Sequence, residues 1–147
     1  MRSPQPIQTI EEMKLHPKLQ ETVSSLTKDF GIISDDRRKI LAQLTSFIQT
    51  KAKKNEPIEL VFICTHNSRR SHISQIWAQA AAAYYDINHV VSYSGGTEAT
   101  AFNPRAVKAM SHAGFRIKTK VESSNPQYEV TFADDAPPLI AFSKRSV

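Results

Sequence analysis

The sequence predicts an α/β fold, and three segments in the middle of the chain predict it. Residues 60–64 form an apolar run with the composition of a strand buried on both faces of a parallel sheet. Residues 71–85 carry apolar side chains at helical spacing, and residues 90–94 form a second strand-like run that the glycines at 95–96 are expected to end. Because a strand, a helix and a strand in this order form a right-handed crossover, the two strands are expected to be parallel.

Two helices are predicted before this unit, and the first begins at a proline. Pro17 suits the first position of a helix, Leu19, Val23 and Leu26 share one face of it, and Gly31 ends it. The chain is therefore divided into an N-terminal helical extension, residues 1–55, and an α/β domain, residues 56–147.

The second helix of the extension is predicted to follow a cap at Ser34 or Asp35. Its last turn is rich in lysine, which suits the negative end of the helix dipole. Five apolar residues recur at helical spacing within it: Ile40, Leu41, Leu44, Phe47 and Ile48. We expect the two helices to form a hairpin that packs against the core.

Beyond the second strand, the pattern predicts one more helix and a pair of strands. Asn103 can cap a helix that has Pro104 at its first position, and Gly114 is a natural end. Residues 128–133 and 139–143 alternate or run apolar, which indicates a β-hairpin or two extended strands.

The composition argues against several classes of protein. The 147 residues include one cysteine, which excludes an internal disulfide and fits a reducing, cytoplasmic location. The sequence has no apolar run near 18 residues and no charged-then-apolar leader, so neither a membrane span nor a signal peptide is expected. The net charge of +5 is spread over both halves, so no nucleic-acid partner is expected. The five histidines lack metal-ligand spacing, and no metal or cofactor is predicted.

The loop after the first strand carries the most specific chemistry in the chain. Cys64 ends the strand, and Arg70 and Ser71 stand six and seven positions later, where the helix begins. Backbone N–H groups of such a loop, with the positive end of the helix dipole, form a cradle for a tetrahedral anion. Arg70 can offer two parallel hydrogen bonds to that anion, and the Ser71 hydroxyl can stabilise a Cys64 thiolate. A thiolate aimed at a cradled phosphorus or arsenic atom is a covalent nucleophile.

A simpler interpretation exists for each of these residues taken alone. A lone cysteine at the end of a buried strand is usually a small core side chain, and an Arg-Arg-Ser triplet at a helix start is often only surface. The spacing, the strand before the loop, the helix after it and Asn67 within it together favour the catalytic interpretation.

The run Cys64-Thr65-His66-Asn67-Ser68-Arg69-Arg70-Ser71 resembles the phosphate-binding loop of low-molecular-weight protein tyrosine phosphatases and of the arsenate reductases that share their fold. A second block is also similar to that family: Tyr93-Ser94-Gly95-Gly96-Thr97, then Asn103-Pro104-Arg105-Ala106-Val107, ending near Gly114. The resemblance covers roughly residues 59 to 117. It implies a three-layer α/β/α fold of the flavodoxin-like kind with a short parallel sheet.

The resemblance also implies roles for the loop residues. Cys64 would be the nucleophile, Arg70 the main oxyanion ligand, and Ser71 the group that lowers the thiol pKa. Asn67 would hold the loop in shape through side-chain hydrogen bonds. The remaining phosphate-binding positions of the loop are Thr65, His66, Ser68 and Arg69. His66 stands where the family commonly has glycine, and Arg69 where it often has a second cysteine, so a disulfide within the loop cannot form.

One part of the family's machinery has no counterpart in this sequence. The family uses an aspartate, usually followed by proline, to protonate the leaving group, and this chain has no Asp-Pro pair. Asp134 and Asp135 are candidate substitutes, although turn residues before Pro137 are the simpler interpretation. The family also continues with two more core strands and a final helix, which predicts a truncated or divergent member with an incomplete C-terminal part.

Three functions are compatible with these residues. The first is a phosphomonoesterase of the low-molecular-weight phosphatase type acting on a phosphorylated substrate. The second is an arsenate reductase that, having one cysteine, depends on an external thiol partner. The third is a protein that binds phosphate or arsenate with weak or no catalysis. A homodimer is a further expectation, since a missing part of the sheet would expose apolar edges.

Overall fold

The computed structural model describes residues 14–146, which form four α-helices and five strands. The helices are α1 (Pro17–Thr27), α2 (Asp35–Lys53), α3 (Arg70–Tyr84) and α4 (Pro104–Ala113), with a short 3₁₀ turn at Phe30–Ile32. The strands are β1 (Ile58–Cys64), β2 (Val90–Gly96), β3 (Arg116–Val121), β4 (Gln127–Thr131) and β5 (Leu139–Ala141).

The predicted strand–helix–strand unit is confirmed. Strands β1 and β2 pair in parallel along their whole length, from Ile58 opposite Val90 to Cys64 opposite Gly96. The fold is mixed α/β with a short parallel sheet, in agreement with the expected flavodoxin-like arrangement. Strand β1 ends at Cys64 and α3 begins at Arg70, so the loop that follows the cysteine lies at the carboxyl end of the sheet.

Glutamine side chains fix α3 against β2. Gln75 donates to the Ser92 carbonyl over 3.0 Å, and Gln79 donates to the Val90 carbonyl over 2.8 Å. The Ser92 N–H donates to the side-chain Oε1 of Gln79 over 3.0 Å. The helix therefore supplies hydrogen-bond partners for backbone groups of the strand, and these bonds fix the position of α3 on the sheet.

The expectation that residues 60–64 are buried on both faces is wrong. Val61 and Ile63 are 57% and 53% exposed, and Val91 and Tyr93 of β2 are also exposed. Successive side chains of a strand point to opposite faces, and α3 packs on the face that carries Ile58 and Ser92. The opposite face of the described sheet remains open.

The predicted packing of the N-terminal hairpin is right for α1 and wrong for α2. Leu19 of α1 is fully buried, and a Cβ at Gly114 would lie 2.3 Å from the Leu19 nitrogen, so α1 and the end of α4 touch through backbone. Gly114 also has a φ of 118°, which favours glycine. Helix α2 buries none of its residues, and four of its five apolar side chains are exposed: Ile40, Leu41, Leu44 and Phe47.

Two expectations about this part of the chain stay predictions. Residues 1–13 of the predicted extension lie outside the described residues, and the division of the chain at residues 55 and 56 is not tested by the packing of α1. The expected homodimer also stays a prediction, although the open face of the sheet and the apolar stripe of α2 give it a physical motive.

The predicted C-terminal hairpin is confirmed as β4 and β5, which pair antiparallel. A third strand, β3, pairs with β4 and was not predicted. Lys118 and Lys120 interrupt its apolar residues, and most of β3 is exposed, so only the alternation of Ile117, Thr119 and Val121 marks it.

The core lies between α1, α3, α4 and the antiparallel sheet. It is built from one cluster of buried apolar residues: Leu15, Leu19, Val23, Ile76, Ala80, Phe102, Ala106, Met110, Phe115, Val130, Phe132, Ala133 and Ala141. This cluster sits beneath α3 and the start of α4, which are the two elements that border the cysteine loop.

Among residues 14–146, no helix is both long enough and apolar enough to cross a membrane.

Candidate active site

The loop between β1 and α3 is fastened to its surroundings through its carbonyl groups. The Thr65 carbonyl accepts from the Glu98 N–H over 2.9 Å and from the Thr97 hydroxyl over 3.1 Å. The Ser68 carbonyl accepts from the Asn103 N–H over 2.9 Å. Since these carbonyls are used on the outside of the loop, its N–H groups are available on the inside.

The segment after β2 approaches this loop closely at a glycine. A Cβ at Gly96 would lie 2.7 Å from the Thr65 oxygen and 2.8 Å from the Asn67 nitrogen, distances that side chains do not tolerate. Strand β2 includes Gly95 and ends at Gly96, two residues beyond the predicted end at Ser94. The glycine at position 96 serves close contact between strand and loop.

Asn67 holds the loop in shape from within. Its side chain is fully buried, and its φ of 43° lies in the left-handed region that asparagine tolerates better than most residues. Its Nδ2 donates to the Ser71 hydroxyl over 2.7 Å, and its Oδ1 accepts from the Lys144 N–H over 2.9 Å. The side chain therefore joins the start of α3 to the segment after β5, a connection that the sequence did not reveal.

We expect Asn67→Gly to lower the free energy of unfolding by about 2–3 kcal/mol, because it removes the partner of the Lys144 N–H and one of the two partners of the Ser71 hydroxyl. Asn67→Ala should cost about 1 kcal/mol more, since alanine pays a steric penalty at positive φ that glycine does not. Urea denaturation of both variants measures the loss of the hydrogen bonds and the cost of the backbone conformation separately. Equal stability of the alanine and glycine variants would contradict the contribution assigned to backbone conformation.

The sulfur of Cys64 lies in a ring of hydrogen-bond donors. Its Sγ is 3.0 Å from the Ser71 Oγ, and because Asn67 already donates to that oxygen, the hydroxyl hydrogen is free to point at the sulfur. Burial raises the pKa of the Cys64 thiol, but hydrogen bonds from the Ser71 hydroxyl and from the N–H groups of Ser71, Ser68 and Asn67 outweigh it and lower the pKa to about 7. A substantial fraction of the sulfur is therefore thiolate at neutral pH.

Replacing the hydroxyl of Ser71 should raise the pKa of Cys64 from about 7 toward its ordinary value of 9.0. The thiolate form is favoured above the pKa, so Ser71→Ala should have less Cys64 thiolate than wild type between pH 7 and 9. At still higher pH, Cys64 should be fully ionised in both proteins. The ultraviolet absorbance of the thiolate, followed against pH, measures this directly. Ser71→Thr keeps the hydroxyl and is the matched control. An unchanged titration in the alanine variant would show that the hydroxyl does not stabilise the sulfur.

The sulfur opens into a pocket of about 470 Å³. The pocket is lined by Cys64, His66, Ser68, Arg69, Arg70, Thr100 and Asn103. Both arginine side chains are exposed and form no ion pair within the described residues, so each is available for an anion. The structure thus brings five of the predicted loop residues to the pocket. Asn67 and Ser71 lie behind the sulfur, and Thr65, predicted to bind phosphate, is not in the lining. The structure adds Thr100 and Asn103, which the sequence analysis did not place in the site.

His72, which follows the loop, faces the interior and not the pocket. Its ring is fully buried and stacked on Phe102, with 4.3 Å between the ring centroids. Burial, together with the positive charge of Lys144, lowers the pKa of His72 to about 4. Its Nδ1 lies 3.3 Å from the Ser94 hydroxyl. His72 is therefore a neutral packing residue beneath the loop at physiological pH.

The structure does not bring Asp134 and Asp135 to the sulfur. Both line a different pocket, next to His16. The Asp134 carboxylate lies 3.5 Å from Arg116 and 3.4 Å from the His16 ring, and it is 88% exposed. This placement matches the turn interpretation of the pair.

Comparison with known proteins places the chain in a family. The model of the low molecular weight phosphotyrosine protein phosphatase family matches residues 59–134, and the chain belongs to this family. The matched segment contains β1, the cysteine loop, α3, β2 and α4, which are the elements that build the pocket. The resemblance identified from the loop motif is confirmed.

Characterised relatives of the chain are named arsenate reductases. The protein from Bacillus subtilis is 34% identical over 84 residues, which cover 52% of this chain and 58% of that protein. The protein from Bacillus licheniformis is 45% identical over 58 residues, which cover 40% of this chain and 39% of that protein. The chain thus spans 58% of the first of these relatives and 39% of the second.

Among solved structures, a thioredoxin-dependent arsenate reductase from Corynebacterium glutamicum aligns with 88% of this chain and 56% of its own. The sequence identity is 20% and the TM-score is 0.37.

Within residues 14–146, no group of three or more His, Cys, Asp or Glu side chains is arranged to hold a metal ion.

Proposed function

We propose that the protein is a cysteine-dependent phosphomonoesterase that forms a phosphocysteine intermediate. The observation that carries the proposal is the environment of one sulfur: a thiol with a pKa of about 7, ringed by a hydroxyl and three N–H groups, opening into a pocket that also holds Arg70. A thiolate and a cradle for oxygen anions at the same place are the two requirements for covalent phosphoryl transfer.

The first chemical step transfers the phosphoryl group to Cys64. The thiolate attacks phosphorus, the S–P bond forms, and the P–O bond to the leaving group breaks. The guanidinium of Arg70 binds two of the three equatorial oxygens, and the N–H groups of the loop bind the third and share the developing charge. Ser68 and Arg69 line the same pocket and contribute to binding the dianion.

The second step hydrolyses the intermediate. Water attacks phosphorus, the S–P bond breaks, and inorganic phosphate leaves. The Ser71 hydroxyl, 3.0 Å from the sulfur, stabilises the departing thiolate by donating a hydrogen bond. The same interaction that lowers the pKa of Cys64 therefore makes the sulfur both a ready nucleophile and a good leaving group.

Hydrolysis of an aryl phosphate, with capture of the intermediate, tests this proposal. Rapid acid quenching during turnover of p-nitrophenyl phosphate should trap one phosphate on the peptide that contains Cys64, detected by mass spectrometry. Turnover without a trapped phosphate on that peptide, or the absence of turnover, would contradict the covalent mechanism.

Arsenate reduction is the second candidate, and the names of the relatives favour it. Cys64 would attack arsenate, with loss of water, to give an S–As(V) bond. An external thiol would then attack the sulfur, so that arsenite leaves with two electrons and a mixed disulfide forms. A second external thiol would restore Cys64, because the 147 residues hold no other cysteine. A reducing cytoplasm would supply such a thiol.

Thiol consumption separates the two candidates. With glutathione and glutaredoxin, or with thioredoxin and its reductase, a reductase consumes NADPH in proportion to the arsenate added. A phosphatase hydrolyses aryl phosphate without thiol consumption and is inhibited by arsenate. If phosphate protects Cys64 from alkylation but neither turnover occurs, the protein is an oxyanion-binding protein.

A further inference from the structure

Cleavage of a phosphate ester requires a proton for the leaving oxygen, and among the described residues no carboxylate lines the pocket around Cys64. Ser68, Thr100 and Asn103 line the pocket with groups that do not titrate near neutral pH. The one side chain of the lining that commonly serves as a general acid and base in enzymes is His66.

His66 is held in a defined position at the mouth of the pocket. Its carbonyl accepts from the Thr100 hydroxyl over 3.1 Å and from the Ser143 hydroxyl over 2.9 Å. Its ring Nε2 lies 3.3 Å from a carboxylate oxygen of Glu98. The Glu98 backbone is itself fixed, since its N–H donates to the carbonyl of Thr65, the residue next to His66.

The pair has the arrangement that a proton donor needs. The Glu98 carboxylate lies beside Nε2 and therefore favours one orientation of the His66 ring. The other ring nitrogen, Nδ1, has no partner among the described residues and is free for a substrate. The His66 side chain is 56% exposed, so a leaving group that points out of the pocket can reach it.

We propose that His66 is the general acid and base of this site and that Glu98 is its positioning residue. The inference rests on the proposed phosphomonoesterase function. As the P–O bond breaks, the Nδ1 proton of the imidazolium passes to the leaving oxygen, which departs as an alcohol or phenol. The neutral ring then accepts a proton from the water that attacks phosphocysteine, and this returns His66 to the imidazolium form.

The placement of other groups supports this assignment. Asp134 and Asp135, the carboxylates that the sequence suggested, line another pocket. His72 is buried and neutral beneath the loop. Apart from the nucleophile, His66 is thus the described side chain of the pocket lining that can both donate and accept a proton.

The dependence of kcat/KM on the leaving group tests the proposal, because kcat/KM reports the steps up to its release. His66→Asn should lose about 10²-fold in kcat/KM with phenyl phosphate, whose leaving group needs a proton. The loss should be less than about threefold with 2,4-dinitrophenyl phosphate, whose leaving group departs as an anion. With 2,4-dinitrophenyl phosphate, the His66→Asn variant should show a burst of 2,4-dinitrophenolate release, since hydrolysis of phosphocysteine becomes slow.

Two further variants make the test specific. Glu98→Ala should lower kcat/KM for phenyl phosphate by up to about 10²-fold and leave kcat/KM for 2,4-dinitrophenyl phosphate nearly unchanged, because the ring of the proton donor is no longer held in place. His112→Asn removes an exposed histidine of α4 that does not line the pocket, and it should behave as wild type. Phosphate protection of Cys64 from alkylation should persist in His66→Asn, which shows that the pocket is intact.

The outcomes are distinguishable. Equal losses on the two substrates, or no loss on either, overturn the role of His66 while the proposed function stands. Equal losses of kcat/KM on the two substrates in Glu98→Ala, or no loss on either, overturn the positioning role of Glu98. A wild-type protein that hydrolyses neither substrate overturns both the proposed function and the inference that rests on it.

Discussion

Cys64→Ser is expected to abolish turnover of aryl phosphates while phosphate binding persists. Serine keeps the shape of the side chain but is almost entirely un-ionised at neutral pH, so the site loses its nucleophile. Loss of the nucleophile from a covalent hydrolase costs on the order of 10⁶-fold in kcat. Steady-state assays measure the loss, and calorimetric titration with inorganic phosphate measures the binding that remains.

The binding measurement distinguishes loss of chemistry from loss of structure. The N–H groups of the loop and Arg70 are unchanged in Cys64→Ser, so the phosphate dissociation constant should stay within a fewfold of wild type. Hydrolysis at the wild-type rate by the serine variant would refute the covalent mechanism altogether.

Arg70→Ala is expected to remove both turnover and phosphate binding. An arginine that stabilises the charge of a transferring phosphoryl group contributes about 10³–10⁵ in rate. Arg70 lines the pocket and forms no ion pair within the described residues, so a bound anion is its natural partner. Arg70→Lys should recover only part of the activity, because lysine lacks the planar fork that binds two oxygens.

Arg37→Ala is the matched control, since it removes an exposed arginine of α2 outside the pocket. It should leave turnover and binding unchanged, which separates the local role of Arg70 from the general effect of net charge. Arg70→Ala protein that still binds phosphate with wild-type affinity would contradict the role assigned to Arg70.

The sequence predicted the centre of the site because local constraints there are strong. The strand, the loop and the helix are contiguous from residue 58 to residue 84, and their order alone brings Cys64 and Arg70 to one pocket. The caps of α4 were predictable for the same reason: Asn103 accepts from the Arg105 N–H over 2.9 Å, and Gly114 adopts a left-handed conformation.

Contacts between distant segments could not be predicted. The bonds of Ser143 to the His66 carbonyl and of the Lys144 N–H to Asn67 join residues 77 positions apart. The pairing of Glu98 with His66 also depends on how the segment after β2 folds back over the loop. No periodicity or spacing in the sequence encodes these distances, because they arise from tertiary packing.

Apolar patterning was misleading where its partner surface is open. The stripe of α2 and the residues Val61 and Ile63 of β1 have the composition of buried elements, yet four of the five stripe residues and both strand residues are exposed. Periodicity reports which face of an element is apolar, and it does not report whether another element covers that face. Strand β3 shows the converse, because lysines on an exposed edge strand conceal it.

Alkylation of the single cysteine by iodoacetamide, followed against pH with and without inorganic phosphate, tests most directly whether Cys64 is an ionised sulfur within an anion site. The account predicts a rate that rises with a midpoint near pH 7, and strong protection by millimolar phosphate at neutral pH. A midpoint near the ordinary thiol value of 9.0, with no protection by phosphate, would contradict it.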